Sequence, residues 1–217
     1  KIKKFIYAAS SSCYGLAKTP TDENHKISPE YPYALSKLMG EQACFHWSKV
    51  YKIPIISIRI FNAYGPRVKT TGVYGAVFGV FFKQKLENKP LTLVGNGMQK
   101  RDFLNVKDVA NAFYLSAISK KSNDIYNLGS GSPKTILELI KILGSKKIVK
   151  LPKRPGEPHC TWADIKKIKK QINWKPEISF ETGVNEMLMN IKNWKNAPLW
   201  NKKKIKVATK NWFKYLS

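Results

Sequence analysis

The chain of 217 residues has few cysteines and no long apolar run. Cys13, Cys44 and Cys160 are widely spaced, so they form neither a disulfide framework nor a metal-binding pair, and we expect a reducing, cytoplasmic location. No apolar run reaches the roughly 18–20 residues that a membrane helix needs, and no basic-then-apolar leader opens the sequence. We therefore expect neither a membrane partner nor secretion. Collagen-like, coiled-coil and disordered classes are excluded by composition.

Acidic residues and arginine are also scarce. The chain has 39 Lys and Arg against 14 Asp and Glu, a formal net charge of +25. Such a charge is typical of nucleic-acid-binding proteins, which gain free energy by releasing counterions from phosphates. However, 35 of the 39 are scattered lysines, whereas specific base and phosphate contacts favour arginine. We therefore predict no nucleic-acid partner, although a basic nucleic-acid-binding protein stays the alternative from another functional class.

Short apolar, β-prone segments alternate with helical patterns along the chain. The strands are predicted at 3–9, 54–60, 91–94, 125–128 and 149–151. The helices are predicted at 33–50, 74–87, 106–118, 135–143, 164–171, 180–195 and 202–216. This alternation favours an α/β fold with a parallel sheet.

The predicted helix 33–50 opens with a Tyr-x-x-x-Lys spacing, Tyr33 to Lys37. Residues four apart share one face of a helix, so the phenol and the ammonium can meet. A nearby ammonium favours the phenolate form of a tyrosine, which can then act as a general base near neutral pH. The spacing alone is common, and an ordinary surface pair is the alternative interpretation.

Six longer segments carry a more specific signal. In chain order they are YAASSSCYG, PYALSK, RIFNAYGPR, GNGMQKRDFLNVKDVANAF, YNLGSG and KRPGEPHCTWADIKKIKKQINWKP. In these segments, up to about Pro176, the sequence resembles the extended short-chain dehydrogenase/reductase family, specifically its nucleotide-sugar epimerases and dehydratases.

The resemblance implies a fold and a division into domains. The expected fold is α/β: a partial Rossmann-like parallel sheet, the C-terminal part of an NAD-binding domain, with a smaller α/β domain that binds the sugar nucleotide. Residues 1–65 with 100–130 would form the first domain, and 66–99 with 131–217 the second. The resemblance also implies a UDP-sugar substrate and assembly into a homodimer.

The resemblance also implies the residues that bind NAD and catalyse. Ser10 matches the catalytic hydroxyl, Tyr33 the base, and Lys37 the residue that holds the cofactor ribose and tunes the tyrosine. Ile60 and Phe61 fall at cofactor-binding positions. No metal site is expected, because the histidines have no ligand set around them.

Further matches would bind the sugar nucleotide. Asn62 matches a contact to the diphosphate and sugar, and Arg101 and Arg154 match arginines that grip the diphosphate and ribose, where a planar fork suits phosphate. Glu157 matches an acid on the ribose hydroxyls, and Thr161 a residue beside the 2-substituent of the sugar. Ser10, Ser11 and Ser12 complete the predicted substrate contacts. For Arg59 and Cys13 we expect structural roles instead.

Two departures from the family pattern matter. The family opens with a βαβ unit whose Gly-rich turn cradles the NAD pyrophosphate, and this sequence has no such turn. We therefore expect a partial chain that holds NAD poorly by itself. Members that dehydrate carry Asp-Glu after the catalytic hydroxyl residue, and decarboxylating members carry a Glu at the second position, whereas Ser11 and Ser12 stand here.

The two serines cannot exchange protons near pH 7, which favours epimerisation at C4 of a UDP-hexose through a transient 4-keto sugar. A nucleotide-sugar dehydratase or a UDP-glucuronate decarboxylase is the alternative within the class. An inactive fragment that only binds the nucleotide sugar is a further alternative.

Overall fold

A computed structural model describes residues 2–72 and 77–215. Its strands are β1 Phe5–Ser10, β2 Ile55–Ile60, β3 Asn62–Tyr64, β4 Leu91–Val94, β5 Lys100–Arg101, β6 Phe103–Asn105, β7 Asp124–Leu128, β8 Lys134–Thr135 and β9 Ile148–Leu151. Its α-helices are α1 Pro32–Tyr51, α2 Val77–Leu86, α3 Val106–Ile118, α4 Ile136–Leu143, α5 Lys166–Ile172, α6 Phe180–Met189, α7 Lys202–Ala208 and α8 Lys210–Tyr215. Two short 3-10 helices cover Ser11–Tyr14 and Ile191–Trp194. The predicted start of the second helix at Tyr74 and the predicted end of the last at Leu216 lie outside the described residues.

A three-stranded parallel sheet in the order β1-β2-β7 confirms the predicted α/β class. The register pairs Phe5 with Ile55 and carries the strands together to their carboxyl ends, where Ser10 pairs with Ile60 and Ile60 with Leu128. The central strand β2 is buried at every position from Ile55 to Arg59. A strand flanked on both sides in a parallel sheet is expected to be mostly apolar, and the two polar residues of this one, Ser57 and Arg59, are hydrogen-bonded to Glu41.

The first of two compact units comprises Lys1–Ala63, Asp102–Pro133 and Cys160–Ile178. Its core is a set of buried apolar side chains: Ile56, Ile58, Leu104, Ala112, Tyr126, Leu128, Ala163, Ile165, Ile168, Ile172 and Trp174. The segment 160–178 therefore packs in this unit, whereas the sequence-based division placed it in the second domain. The Trp174 indole donates to the Asp108 carbonyl at 3.0 Å, and the Asp108 carboxylate accepts the backbone N–H groups of Glu177 and Ile178, each at 3.1 Å.

The second unit comprises Tyr64–Arg101, Lys134–His159 and Ser179–Ser217. Strands β4 and β9 pair in parallel, and β5 and β8 pair antiparallel. The buried Phe82 of α2 contacts Trp194, with ring centroids 5.2 Å apart. Trp194 is therefore a packing residue of this unit. The predicted single helix 180–195 ends at Met189 and is followed by a 3-10 turn.

Several boundaries follow from local chemistry. Helix α4 opens with a capping box in which the Thr135 hydroxyl accepts the Glu138 N–H and the Glu138 carboxylate accepts the Thr135 N–H. It ends at Gly144, whose φ of +61° gives the left-handed cap that glycine adopts easily. None of the helices within residues 2–72 and 77–215 combines the length and the apolar character needed to cross a bilayer.

Candidate active site

The first turns of α1 present the predicted base and its lysine. Tyr33 is 41% exposed, so a ligand in solvent can reach its phenol. Lys37, one turn later, donates from Nζ to the Ala8 carbonyl of β1 at 3.0 Å, and the same atom lies 5.7 Å from the centroid of the Tyr7 ring. The ammonium is therefore anchored two residues before Ser10, at the carboxyl end of β1.

The predicted catalytic hydroxyl lies where β1 turns into the 3-10 helix. Ser10 Oγ accepts the Ser12 backbone N–H at 3.2 Å and lies 2.8 Å from Ser12 Oγ. Ser10, Ser11 and Ser12 are all half-buried. The turn therefore presents three serine hydroxyl groups and no carboxylate.

A buried ion pair fixes α1 to the sheet. Glu41, one turn after Lys37, accepts from Arg59 Nε at 3.0 Å and Arg59 Nη2 at 2.5 Å, and from Ser57 Oγ at 2.6 Å. Arg59 Nη1 donates to the Tyr14 hydroxyl at 2.8 Å, and that hydroxyl donates to Asn127 Oδ1 at 2.8 Å. Arg59 thus links the tyrosine helix, the serine turn and strand β7, which confirms the structural role expected for it.

Burial raises the pKa values of two side chains near this ion pair. Burial raises the pKa of the Cys13 thiol to about 11, although the Arg59 charge acts in the opposite direction. It also raises the pKa of Tyr14 to about 12. Cys13 is 2% exposed and is therefore a packing residue, as expected, while both groups stay protonated near neutral pH.

Asn62 and Thr161 lie together in the first unit. Thr161 Oγ1 donates to Asn62 Oδ1 at 2.7 Å and accepts the Asp102 backbone N–H at 3.2 Å. The predicted cofactor contacts Ile60 and Phe61 directly precede Asn62 at the end of β2, and the Phe61 N–H donates to the Leu128 carbonyl at 2.9 Å. Because Thr161 occupies the carbonyl oxygen of the Asn62 amide, the amide N–H groups are the side of Asn62 suited to a ligand.

Arg101 and Glu157 form the corresponding cluster of the second unit. Arg101 Nη2 donates to Glu157 Oε1 at 2.9 Å, and Arg101 Nη1 donates to the Lys100 carbonyl at 2.8 Å. Arg101 is 9% exposed, whereas Glu157 and Arg154 are half-buried. The structure therefore brings together two of the three residues predicted to grip the nucleotide, with Arg154 three residues before Glu157 in the same loop.

Sequence reasoning did not identify three buried carboxylates that hydrogen-bond within the first unit. Glu41, Asp102 and Asp108 are at most 3% exposed, in a chain with only 14 acidic residues. The Asp102 carboxylate accepts from the backbone N–H groups of Ser130, Gly131 and Ala163. The available signal was the scarcity of acidic residues, because in a chain this basic several of the few carboxylates are buried and accept hydrogen bonds.

The Lys37 ammonium, near the carboxyl end of β1, fits the nicotinamide-ribose half of NAD. The Lys37 ammonium has three N–H donors, and the Ala8 carbonyl takes one of them, which leaves donors for ribose hydroxyls. Within the residues described, no group of three or more His, Cys, Asp or Glu side chains could hold a metal ion.

Comparison with known proteins gives a consistent result. A family model described as GDP-mannose 4,6 dehydratase matches residues 1–187. The UDP-glucuronate 4-epimerase of Thermodesulfobacterium geofontis is 34% identical over 214 residues, which covers 95% of this chain and 63% of that protein. Relatives named as a decarboxylase and as a dehydratase match as well.

Two solved structures have the same fold. The UDP-N-acetylglucosamine 4-epimerase of Methanobrevibacter ruminantium, in complex with UDP-N-acetylmuramic acid, has a TM-score of 0.81 at 32% identity and covers 90% of this chain and 64% of its own. The UDP-glucuronic acid 4-epimerase of Bacillus cereus, in complex with UDP-glucuronic acid and NAD, has a TM-score of 0.81 at 35% identity and covers 88% and 62%. The chain thus spans a little over three fifths of the length of these proteins.

Proposed function

Because the chain belongs to the NAD-dependent nucleotide-sugar epimerases and dehydratases of the short-chain dehydrogenase/reductase superfamily, we propose that it epimerises C4 of a UDP-hexose. The observation that carries this proposal is Lys37, one helical turn after Tyr33, held at the end of β1 that leads into a serine turn without a carboxylate. The test is conversion of UDP-glucose to UDP-galactose, with dehydration as the competing outcome. UDP-glucuronate is assayed in parallel, with decarboxylation as the competing outcome.

Each residue near β1 has a distinct task in this proposal. Tyr33 removes the proton from the 4-hydroxyl of the sugar and later returns it, while Ser10 hydrogen-bonds the same oxygen. Lys37 stabilises the phenolate and holds the ribose of NAD. NAD, when bound, supplies the oxidant and then the reductant at C4. Because Ser11 and Ser12 offer no acid or base for elimination, C5 and C6 of the 4-keto sugar would stay intact. Return of the hydride to the opposite face of C4 would then give the epimer.

The residues that we propose to bind the nucleotide are those that the family motifs indicate. Arg101 and Arg154 bind the diphosphate and the nucleotide ribose, and Glu157 accepts hydrogen bonds from the ribose hydroxyls. The contact between Arg101 and Glu157 supports this proposal, because it holds the guanidinium in a fixed orientation before any ligand arrives. Asn62 offers its amide N–H groups to the diphosphate and the sugar.

Arg154→Lys is expected to weaken UDP binding although it keeps the charge. A point charge replaces a planar fork that matches two phosphate oxygens, and lost charged hydrogen bonds cost about 1.5–3 kcal/mol. Isothermal titration of the chain with UDP measures the effect. Lys153→Arg, at the exposed neighbouring position, is the matched control. Unchanged affinity in Arg154→Lys would mean that Arg154 is only a surface charge.

The exposed face of α1 supports a homodimer. A row of apolar side chains on this helix is exposed, and Trp47 and Tyr51 contact each other with ring centroids 4.8 Å apart. The exposed residues are Leu35, Met39, Trp47, Val50 and Tyr51. A second copy of the chain would bury this row, which begins next to Tyr33 on the same helix.

Met39→Glu is expected to convert the dimer to a monomer. Met39 is 58% exposed within the row, so a carboxylate there would be buried without a partner at the interface. Light scattering during size-exclusion chromatography measures the mass. Met189→Glu, 79% exposed in the second unit, should leave the dimer intact. A wild-type monomer, or a dimer that tolerates Met39→Glu, contradicts the assignment.

The small side chain of Thr161 favours activity on both UDP-glucose and UDP-N-acetylglucosamine. Thr161→Tyr is expected to lower kcat/KM selectively for the N-acetyl sugar, by about 10–200-fold, since one pocket contact is worth about 1–3 kcal/mol. Because the Thr161 hydroxyl also bonds Asn62, Thr161→Val serves as the control that removes the hydrogen bonds without adding bulk. An equal loss for both sugars in Thr161→Tyr, matched by Thr161→Val, would show that the hydroxyl, and not the size of the pocket, decides.

A further inference from the structure

The C-terminal segment that follows α6 contacts the loop that carries Arg154 and Glu157. The Trp212 indole of α8 donates from Nε1 to the Pro155 carbonyl at 2.9 Å. The family model stops at residue 187, so Trp212 lies outside the part of the chain that it matches. The contact therefore joins a residue beyond the part of the chain that the family model matches to the predicted nucleotide loop, residues 152–158.

Anchors within the second unit hold the C-terminal segment in place. Gln84, 1% exposed, donates from Nε2 to the Trp200 carbonyl at 2.8 Å. Ile205 of α7 and Thr209, the residue between α7 and α8, are 6% and 4% exposed, and the Thr209 hydroxyl donates to the Ile205 carbonyl at 2.8 Å. Helix α8 is therefore attached to a packed base, which lets its indole act as a fixed donor.

The Pro155 carbonyl is a sensitive point of the loop. Pro155 and Gly156 form a turn, and the φ of Gly156 is +67°, as at the third position of a type II turn. Type I and type II turns differ by a rotation of the peptide plane between the two central residues, which is the plane that contains the Pro155 carbonyl. A donor fixed on that carbonyl selects one orientation, and Arg154 and Glu157 flank the turn.

We infer that Trp212 is a positioning residue for nucleotide binding: its indole N–H fixes the Pro155–Gly156 turn and so orients Arg154 and Glu157 toward a nucleoside diphosphate. This inference rests on the proposed function, which assigns the two flanking residues to the nucleotide. Glu157 also pairs with Arg101, so the turn carries one end of that ion pair. In this proposal Trp212 acts through the loop and does not itself bind the nucleotide.

The test compares two matched variants of the full chain. Trp212→Phe keeps an aromatic ring and removes the N–H donor. Trp194→Phe does the same for a second indole of this unit, which donates to the Val68 carbonyl at 3.1 Å and not to the loop. Hydrogen exchange of residues 152–158 is measured by mass spectrometry without ligand, and UDP affinity by isothermal titration. Circular dichroism confirms that both variants are folded.

Trp212→Phe is expected to speed exchange in residues 152–158 and to raise the Kd for UDP by about three- to ten-fold, the effect of one hydrogen bond. Trp194→Phe should change neither quantity. Unchanged exchange in Trp212→Phe overturns the inference and leaves the proposed function intact. Faster exchange with unchanged UDP affinity also overturns it, because the loop would then not bind the nucleotide. Absence of UDP binding by the wild-type chain overturns the inference together with the nucleotide assignments.

Discussion

Tyr33→Phe is expected to lower epimerisation by about 10²–10⁴-fold, because a general base is lost while the ring is kept. The measurement uses a version of the chain extended with a Gly-rich βαβ segment of this family, since the present sequence has no such turn. Tyr33 is 41% exposed and lies one turn before Lys37, whose ammonium is held by the Ala8 carbonyl. The affinity for the UDP-sugar should stay close to that of the wild type.

Tyr114→Phe is the control for this prediction. Tyr114 lies on α3, outside the apolar row of α1, and is 63% exposed, so the loss of its hydroxyl should leave turnover unchanged. Near-normal turnover by Tyr33→Phe would contradict the assignment of the base, whereas loss of both turnover and binding would indicate a structural role for Tyr33.

Arg59→Met is expected to lower the free energy of unfolding by about 3–5 kcal/mol. The substitution leaves the Glu41 carboxylate, 3% exposed, without the guanidinium that donates to both of its oxygens. It also removes the donor to the Tyr14 hydroxyl. Urea denaturation followed by circular dichroism measures the loss.

The double variant Arg59→Met with Glu41→Leu separates the ion pair from the packing. Removing both charges eliminates the unpaired buried carboxylate, so most of the stability should return. Arg67→Met, on a loop, is the matched arginine control and should lie within about 0.5 kcal/mol of the wild type. If the double variant is no more stable than Arg59→Met, the loss comes from packing and not from the unpaired charge.

The sequence was sufficient for the elements whose signals are local. The helix 106–118 and the strand 91–94 were predicted with the bounds that the structure has. The predicted strand 54–60 and the predicted helix 135–143 each differ from β2 and α4 by one residue, at the first position. The family motifs located Ser10 and Tyr33 along the chain, and the structure places them on β1 and α1 of one unit.

Long-range partners were beyond sequence reasoning. Strands β3, β5 and β8 have two or three residues each, too few for a periodic signal, and their pairing depends on segments far along the chain. Glu41 and Arg59 are 18 residues apart, and no local rule pairs them. The segment 160–178 packs in the first unit because Trp174 is buried in its core. A division of the chain into domains by sequence order alone cannot predict such a contact.

The proposed epimerisation is tested most directly by the product that the extended chain forms from UDP-glucose with NAD, followed by proton NMR. We predict UDP-galactose, with no loss of water from the sugar, and the same inversion at C4 for UDP-N-acetylglucosamine. A 4-keto-6-deoxy sugar as the product would contradict it, because elimination would then proceed without carboxylates at Ser11 and Ser12.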